Sequence, residues 1–190
     1  GGRLHVLALF DKPDPMHGPT FEETILVTPS RLPEATQRLV VERTEAAIRA
    51  LGLTEGPVHA ELRLSKDQGP VPIEIAARSI GGLCARALRF GAGVSLEELI
   101  IQHALGRPAA SLERESTPVG VMMLPVPRAG RLKEVRGQAE ARSVADIVDL
   151  RITIAAGTQV RPLPDGDCYL GFLFARADTP QKMVQLSPEE

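Results

Sequence analysis

Residues 58–82 have the sequence VHAELRLSKDQGPVPIEIAARSIGG, in which two alternating segments flank a polar turn. In residues 58–64 and again in residues 71–78, apolar side chains occupy every second position, which is typical of β-strands with one buried face. The intervening residues 65–70 include Gly69 and Pro70, which favour a turn. The stretch therefore predicts an antiparallel hairpin with one apolar face and one polar face.

The predicted polar face of this hairpin carries two glutamates. If the turn at residues 65–70 is shared equally between the strands, Glu61 lies directly opposite Glu74. The alternation places these residues on the polar face: His59, Glu61, Arg63, Pro72, Glu74, Ala76 and Arg78. It places these on the apolar face: Val58, Ala60, Leu62, Leu64, Val71, Ile73, Ile75 and Ala77.

Two opposed glutamates favour a bound cation. Directly opposite residues have Cβ atoms about 4.5–5.5 Å apart, and like charges at that distance repel unless positive charge lies between them. Carboxylate oxygens on rigid neighbouring strands suit Mg²⁺, whose ligands commonly come from both the protein and the phosphates of a substrate. An alternative stays open, in which Arg63 and Arg78 neutralise the glutamates as an exposed salt-bridged surface.

The residues of this hairpin also resemble the closing motif of the ATP-grasp ligases. That motif is a glutamate on one strand, then on the next strand a glutamate, a partner two residues later and an arginine four residues later, followed by glycines. Here the matching positions are Glu61, Glu74, Ala76 and Arg78, followed by Gly81-Gly82. Most of the chain is similar to bacterial L-amino-acid-ligase-like proteins. The less specific matches are residues 4–30 and the segment Cys168-Tyr-Leu-Gly-Phe-Leu-Phe-Ala175.

The resemblance implies roles for these residues. Glu61 and Glu74 would bind Mg²⁺, or Mn²⁺, that bridges the phosphates of the co-substrate ATP, and Arg78 would stabilise the transferred phosphoryl group or the acyl phosphate. Many family members have asparagine where this chain has Ala76, which cannot ligate a metal. The family's ATP-clamping lysines precede the matched region, so we expect this chain to be a fragment that lacks an N-terminal ATP-grasp half.

His59, Gly81 and Gly82 are weaker candidates for substrate contact. The two glycines would let the backbone approach a substrate, although a flexible strand-to-helix turn is the simpler explanation. His59 lies beside Glu61, yet a single histidine on a polar face is more often a surface residue than a base. The other histidines form no constellation with the candidate residues; they are His5, His17 and His103.

The predicted fold class is α+β. Residues 1–115 would form the C-terminal ATP-grasp subdomain, an antiparallel sheet with packed helices, and residues 116–190 a small β-rich domain. Beyond the hairpin, the pattern predicts helices over residues 33–51 and 83–90, a helix capped by Ser95 and Glu98, and a final helix from Thr179-Pro180. The predicted strands are residues 4–10, 24–28, 119–124, 131–136, 148–154 and 168–176. A proline-rich loop at residues 11–23 is either functional or a plain connection.

The amino-acid composition limits the classes of partner and the cellular location that we expect. Aromatic residues make up 3% of the 190 residues and the formal net charge is −2, so we expect no nucleic-acid partner. We expect no membrane segment or secretory leader, since no apolar run approaches about 20 residues. Cys84 and Cys168 have neither a disulfide framework nor zinc-ligand spacing, which favours a cytoplasmic location. A homodimer is included among the expected partners.

The predicted activity is ATP-dependent joining of a small carboxylate, such as an amino acid, to an amine through an acyl phosphate. One alternative is an ATP-grasp enzyme with another acceptor, resembling biotin carboxylase or ribosylamine–glycine ligase. The other is a non-catalytic packing or dimerisation module, which Ala76 favours and the glutamates with Arg78 oppose. The isolated chain would be inactive.

Overall fold

The computed structural model describes residues 2–14 and 22–185, with side chains up to residue 182, and its fold is α+β with antiparallel sheets. A four-residue 3-10 helix lies at Cys84–Ala87. The strands are β1 (Ile25–Thr28), β2 (His59–Ser65), β3 (Gly69–Ala76), β4 (Arg89–Phe90), β5 (Val94–Ser95), β6 (Val119–Leu124), β7 (Gly130–Arg131), β8 (Ile147–Ile152), β9 (Gln159–Val160) and β10 (Gly171–Arg176). The α-helices are α1 (Glu34–Ala50), α2 (Leu96–Ala104), α3 (Gln138–Ser143) and α4 (Pro180–Gln185).

The chain divides into two compact units. The first contains Gly1–Leu9 and Leu32–Glu115, and the second contains Phe10–Arg31 and Ser116–Glu190. The segment at 10–31 groups with the second unit because β1 pairs with β6 in the same antiparallel sheet. The predicted division into domains 1–115 and 116–190 stays a proposal. The two compact units differ from it in one respect, because residues 10–31 group with the later residues.

The first unit is built around the hairpin of β2 and β3, with α1 packed against β3. Helix α1 follows Pro33 and ends before Gly52, whose φ of +71° is the left-handed conformation that glycine adopts readily. Helix α2 begins at the predicted cap, where Ser95 Oγ accepts a hydrogen bond from the Glu98 backbone N–H at 3.1 Å. Both predicted helices are confirmed.

The second unit contains a four-stranded antiparallel sheet in the order β1-β6-β10-β8. All four residues of β1 are buried, and most residues of β6 and β10 are buried as well. Val27, Val121 and Phe174 are among the buried apolar side chains of this unit. The predicted strands at 24–28 and 119–124 are confirmed, and no helix in the described ranges is long and apolar enough to cross a membrane.

Some predicted elements are wrong or shorter than expected. Residues 4–10 form no strand, because within the described ranges they have no partner ladder; an isolated antiparallel bridge joins Asp11 to Val27 just beyond them. The predicted helix at 83–90 is replaced by the 3-10 turn and β4, because residues 89–90 pair with β5 around Gly91 and Gly93, both with positive φ.

The predicted strand at 131–136 is reduced to the two-residue β7, which pairs with β9, and the predicted strand at 168–176 begins at Gly171. The predictions did not include α3 and β9. Of the proline-rich loop at 11–23, residues 15–21 with His17 lie outside the described residues.

Candidate functional site

The two glutamates lie opposite each other on the hairpin. The register pairs His59 with Ala76, Ala60 with Ile75 and Glu61 with Glu74. Directly paired residues lie on the same face of an antiparallel ladder, so the two carboxylates project from the same face of the hairpin at neighbouring positions. The predicted pairing of Glu61 with Glu74 is therefore confirmed.

The other half of the hairpin departs from the predicted alternation. The register shifts between Glu61 and Leu62, so that Leu62 pairs with Pro72 and Arg63 with Val71. Ile73 is the additional residue of this bulge, and it is 64% exposed. Pro72, which has no N–H to donate to the ladder, lies next to it. The placement of Ile73 and Val71 on the apolar face was therefore wrong, since Val71 shares the face of Arg63.

Each glutamate contacts a basic side chain. His59 Nε2 is 3.1 Å from Glu61 Oε1, and Arg78 Nη2 is 2.9 Å from Glu74 Oε1. The His59 and Glu61 side chains are 18% and 26% exposed, whereas those of Arg78 and Glu74 are 51% and 44% exposed. Arg78 accordingly neutralises Glu74, as the salt-bridge interpretation expected. Because a solvent-exposed pair contributes only about 0–1 kcal/mol, a stronger ligand can displace it.

The glycines after the hairpin lie close to the same arginine. Arg78 Nη1 donates a hydrogen bond to the Ser79 carbonyl oxygen at 3.0 Å, and a Cβ atom added to Gly81 would be 3.8 Å from Nη1. Gly82 has a φ of +59°, which favours glycine at this turn. The hairpin thus groups four of the candidates, Glu61, Glu74, His59 and Arg78, and Gly81 lies beside Arg78. His103 contacts Glu55 instead, at 3.8 Å.

The chemistry of these residues fits a divalent cation that is only partly ligated by protein. Among the described residues, no group of three or more His, Cys, Asp or Glu side chains is placed to hold a metal ion. Glu61 and Glu74 supply two partly accessible carboxylates instead. Mg²⁺ is commonly held by one or two carboxylates together with substrate phosphates and water, so a two-carboxylate donor set suits it.

A second polar cluster, which the sequence analysis missed, lies in the second unit around Tyr169. Burial raises the pKa of the Tyr169 phenol, and the nearby carboxylates of Glu23 and Glu22 raise that pKa further. A hydrogen bond from the Glu23 backbone and the charge of Lys12 oppose this shift. Tyr169 is the one tyrosine in the sequence, which could have marked it as a candidate. Its partners lie in a distant segment of the sequence, so no local pattern predicted the cluster.

Family models match both parts of this chain. A model described as an ATP-grasp domain matches residues 1–87, and one described as L-amino acid ligase C-terminal domain 2 matches residues 122–187. The chain is thus similar to the ATP-grasp superfamily over residues 1–87 and to L-amino acid ligases over residues 122–187. Its hairpin, with Glu61 and Glu74, lies within the residues that the ATP-grasp model matches.

The individual proteins that are similar to this chain include ligases. The crystal structure of an L-amino acid ligase from Bacillus licheniformis has a TM-score of 0.81 and 28% identity, covering 97% of this chain and 46% of that one. Alanine–anticapsin ligase from Bacillus subtilis is 33% identical over 100 residues, which is 53% of this chain and 21% of the ligase. An uncharacterized protein, y4rH, from Sinorhizobium fredii is 26% identical over 159 residues, covering 84% of this chain and 33% of that protein. The chain therefore spans less than half of each relative.

Proposed function

We propose that Glu61, Glu74 and Arg78 form the phosphate-handling site of an ATP-dependent carboxylate–amine ligase. The observation that carries this proposal is the register of the hairpin, which opposes the two glutamates and places Arg78 Nη2 2.9 Å from Glu74. A carboxylate pair that can hold a metal ion, with a guanidinium beside it, is the kind of arrangement that neutralises phosphate oxygens during phosphoryl transfer.

The roles follow from the chemistry of the side chains. Glu61 and Glu74 would hold Mg²⁺ or Mn²⁺, which when bound neutralises the phosphate oxygens of ATP. Arg78 presents a planar guanidinium that can donate two hydrogen bonds to a phosphoryl group or acyl phosphate. Its ion pair with Glu74 holds it beside the carboxylate pair, where the proposed role needs it.

The acceptor is proposed from the relatives. Both the L-amino acid ligase and alanine–anticapsin ligase are named as ligases, which supports an amino acid as the carboxylate substrate and an amine as the nucleophile. The ATP-clamping part would be an N-terminal half outside this chain. A cytoplasmic location and a homodimer complete the proposal, with no nucleic-acid partner.

The test is Mg²⁺-dependent ADP release by the intact protein, measured with pooled amino acids and with the Glu74→Gln variant. We expect release that requires both an amino acid and Glu74, because removing the charge on one carboxylate weakens the cation site. Glu34→Gln is the matched control, since Glu34 lies at the exposed start of α1 and pairs with Arg38.

Three results would argue against the proposal. Equal ADP release by Glu74→Gln and the unchanged protein would remove Glu74 from the site. Release with bicarbonate or a ribosylamine, but with no amino acid, would instead support an ATP-grasp enzyme with another acceptor. Absence of any ATP turnover despite measured ATP binding would support the non-catalytic module.

A further inference from the structure

The two opposed glutamates are held in different ways. Glu74 contacts an arginine that is half exposed and that also binds the Ser79 carbonyl oxygen. Glu61 contacts His59, which lies two residues earlier on the same strand and therefore on the same face. The imidazole is the least exposed of the four side chains. The His59 side chain is thus more restricted by its surroundings than an exposed surface side chain would be.

The residue across the ladder leaves space for the imidazole. His59 pairs directly with Ala76, whose side chain ends at Cβ. A directly opposite pair brings its Cβ atoms to about 4.5–5.5 Å, so a longer side chain at residue 76 would compete with the ring for the same face of the hairpin. Ala76 cannot itself bind a metal ion or a carboxylate. Its small size instead allows the ring to approach Glu61.

We propose that His59 is a positioning residue, which fixes the Glu61 carboxylate for cation binding through the bond from Nε2–H to Oε1. This inference rests on the proposed function of Glu61. A glutamate side chain loses rotamer entropy when it is ordered, and a hydrogen bond formed beforehand reduces the part of that cost that accompanies ligand binding. The bond engages Oε1 of the Glu61 carboxylate.

His59 acts through Glu61 and is not a third ligand. No group of three potential ligands is placed to hold a metal within the described ranges, although His59, Glu61 and Glu74 all lie on one face. Groups that hydrogen-bond a metal ligand orient it, and their substitution commonly lowers metal affinity by about 10- to 100-fold. The effect of His59 should therefore appear in the affinity for the cation.

Two amide variants separate this role from a packing role. In glutamine the terminal nitrogen is four bonds from Cα, as Nε2 is in histidine, whereas in asparagine it is three bonds away. His59→Gln should keep Mn²⁺ affinity within about 3-fold, and His59→Asn should weaken it by about 10-fold or more. The measurement is Mn²⁺ binding to the intact protein with ADP, by electron paramagnetic resonance. His103→Gln and His103→Asn are the matched controls, because His103 contacts Glu55 and lies outside the site.

The outcomes distinguish this inference from the proposed function. Unchanged Mn²⁺ affinity in both His59 variants, while Glu74→Gln loses binding, would overturn the positioning role and leave the proposed function standing. Equal losses in His59→Gln and His59→Asn would also overturn it, since the position of the nitrogen would then be irrelevant. If Glu74→Gln binds Mn²⁺ as the unchanged protein does, the cation site itself is wrong.

Discussion

The β2–β3 hairpin and the four-stranded sheet are both antiparallel, but they bury very different fractions of their residues. In the sheet, β1 is buried throughout, and β6 and β10 are mostly buried. Within β2 and β3, which the structure describes in full, Pro70 alone is buried. A two-stranded hairpin is marginal by itself in water, and here α1 packs against β3.

This difference in burial suggests that the sheet contributes mainly to stability and the hairpin mainly to ligand binding. The sheet gains its stability from apolar side chains that leave water, at about 25 cal/mol per Å² of buried apolar surface. The hairpin keeps Glu61, Glu74 and Arg78 partly accessible, which the proposed binding of a substrate requires. We therefore expect substitutions in the sheet to change the free energy of unfolding, and substitutions on the glutamate face to change ligand binding.

The largest expected effect comes from Phe174→Ala in β10. Phe174 is buried and pairs with Val121, so truncation leaves a cavity in the sheet. Loss of a buried phenylalanine side chain costs about 3–5 kcal/mol. Urea denaturation should show this loss for the unit that contains the sheet, and hydrogen exchange should show faster opening of β6 and β10.

Val148→Ala is the control for this substitution. Val148 lies in β8 of the same sheet, and its side chain is more than half exposed. Its truncation should change the free energy of unfolding by no more than about 0.5 kcal/mol. Similar costs for Phe174→Ala and Val148→Ala would mean that the sheet is not the stable core, and the contrast with the hairpin would fail.

A smaller effect is expected from Gly171→Ala at the start of β10. An added Cβ would lie 2.1 Å from the Arg151 carbonyl oxygen, which is backbone and cannot rotate away. The two strands must shift, at about 1–3 kcal/mol for overpacking. Gly81→Ala, beside the hairpin, meets its nearest atom at 3.8 Å and should leave the free energy of unfolding nearly unchanged. Thermal unfolding of the two variants compares them; equal melting temperatures would contradict the close approach at Gly171.

The elements that the sequence predicted well are those with local signals. Helix α2 begins where Ser95 and Glu98 indicated a cap, and the register at Glu61 and Glu74 followed from a turn shared equally between two alternating strands. The sheet order β1-β6-β10-β8 joins distant segments, and no local pattern specifies which strands become neighbours. Residues 4–10 are as apolar as a strand, but apolarity alone does not supply a partner ladder.

For the candidate site, the sequence predicted which residues share one face of the hairpin better than it predicted their contacts. The spacing of His59 and Glu61 already placed both on one face. It did not specify which basic residue pairs with Glu74, since Arg63 and Arg78 were both predicted on that face; the structure shows Arg78 there. The bulge at Ile73 was not predictable from alternation, because an apolar residue at the expected position gives the same pattern in either register.

The smallest expected effect tests that bulge within the hairpin itself. Ile73 is exposed, so Ile73→Thr should change the free energy of unfolding by no more than about 0.5 kcal/mol. Ile75, which is partly buried and pairs with Ala60, should lose about 1 kcal/mol or more on the same change, because a hydroxyl replaces apolar contact. Urea denaturation of the two variants measures the difference. Equal costs would mean that Ile73 and Ile75 share one apolar face, as an uninterrupted alternation requires, and the pairing of Leu62 with Pro72 would then be wrong.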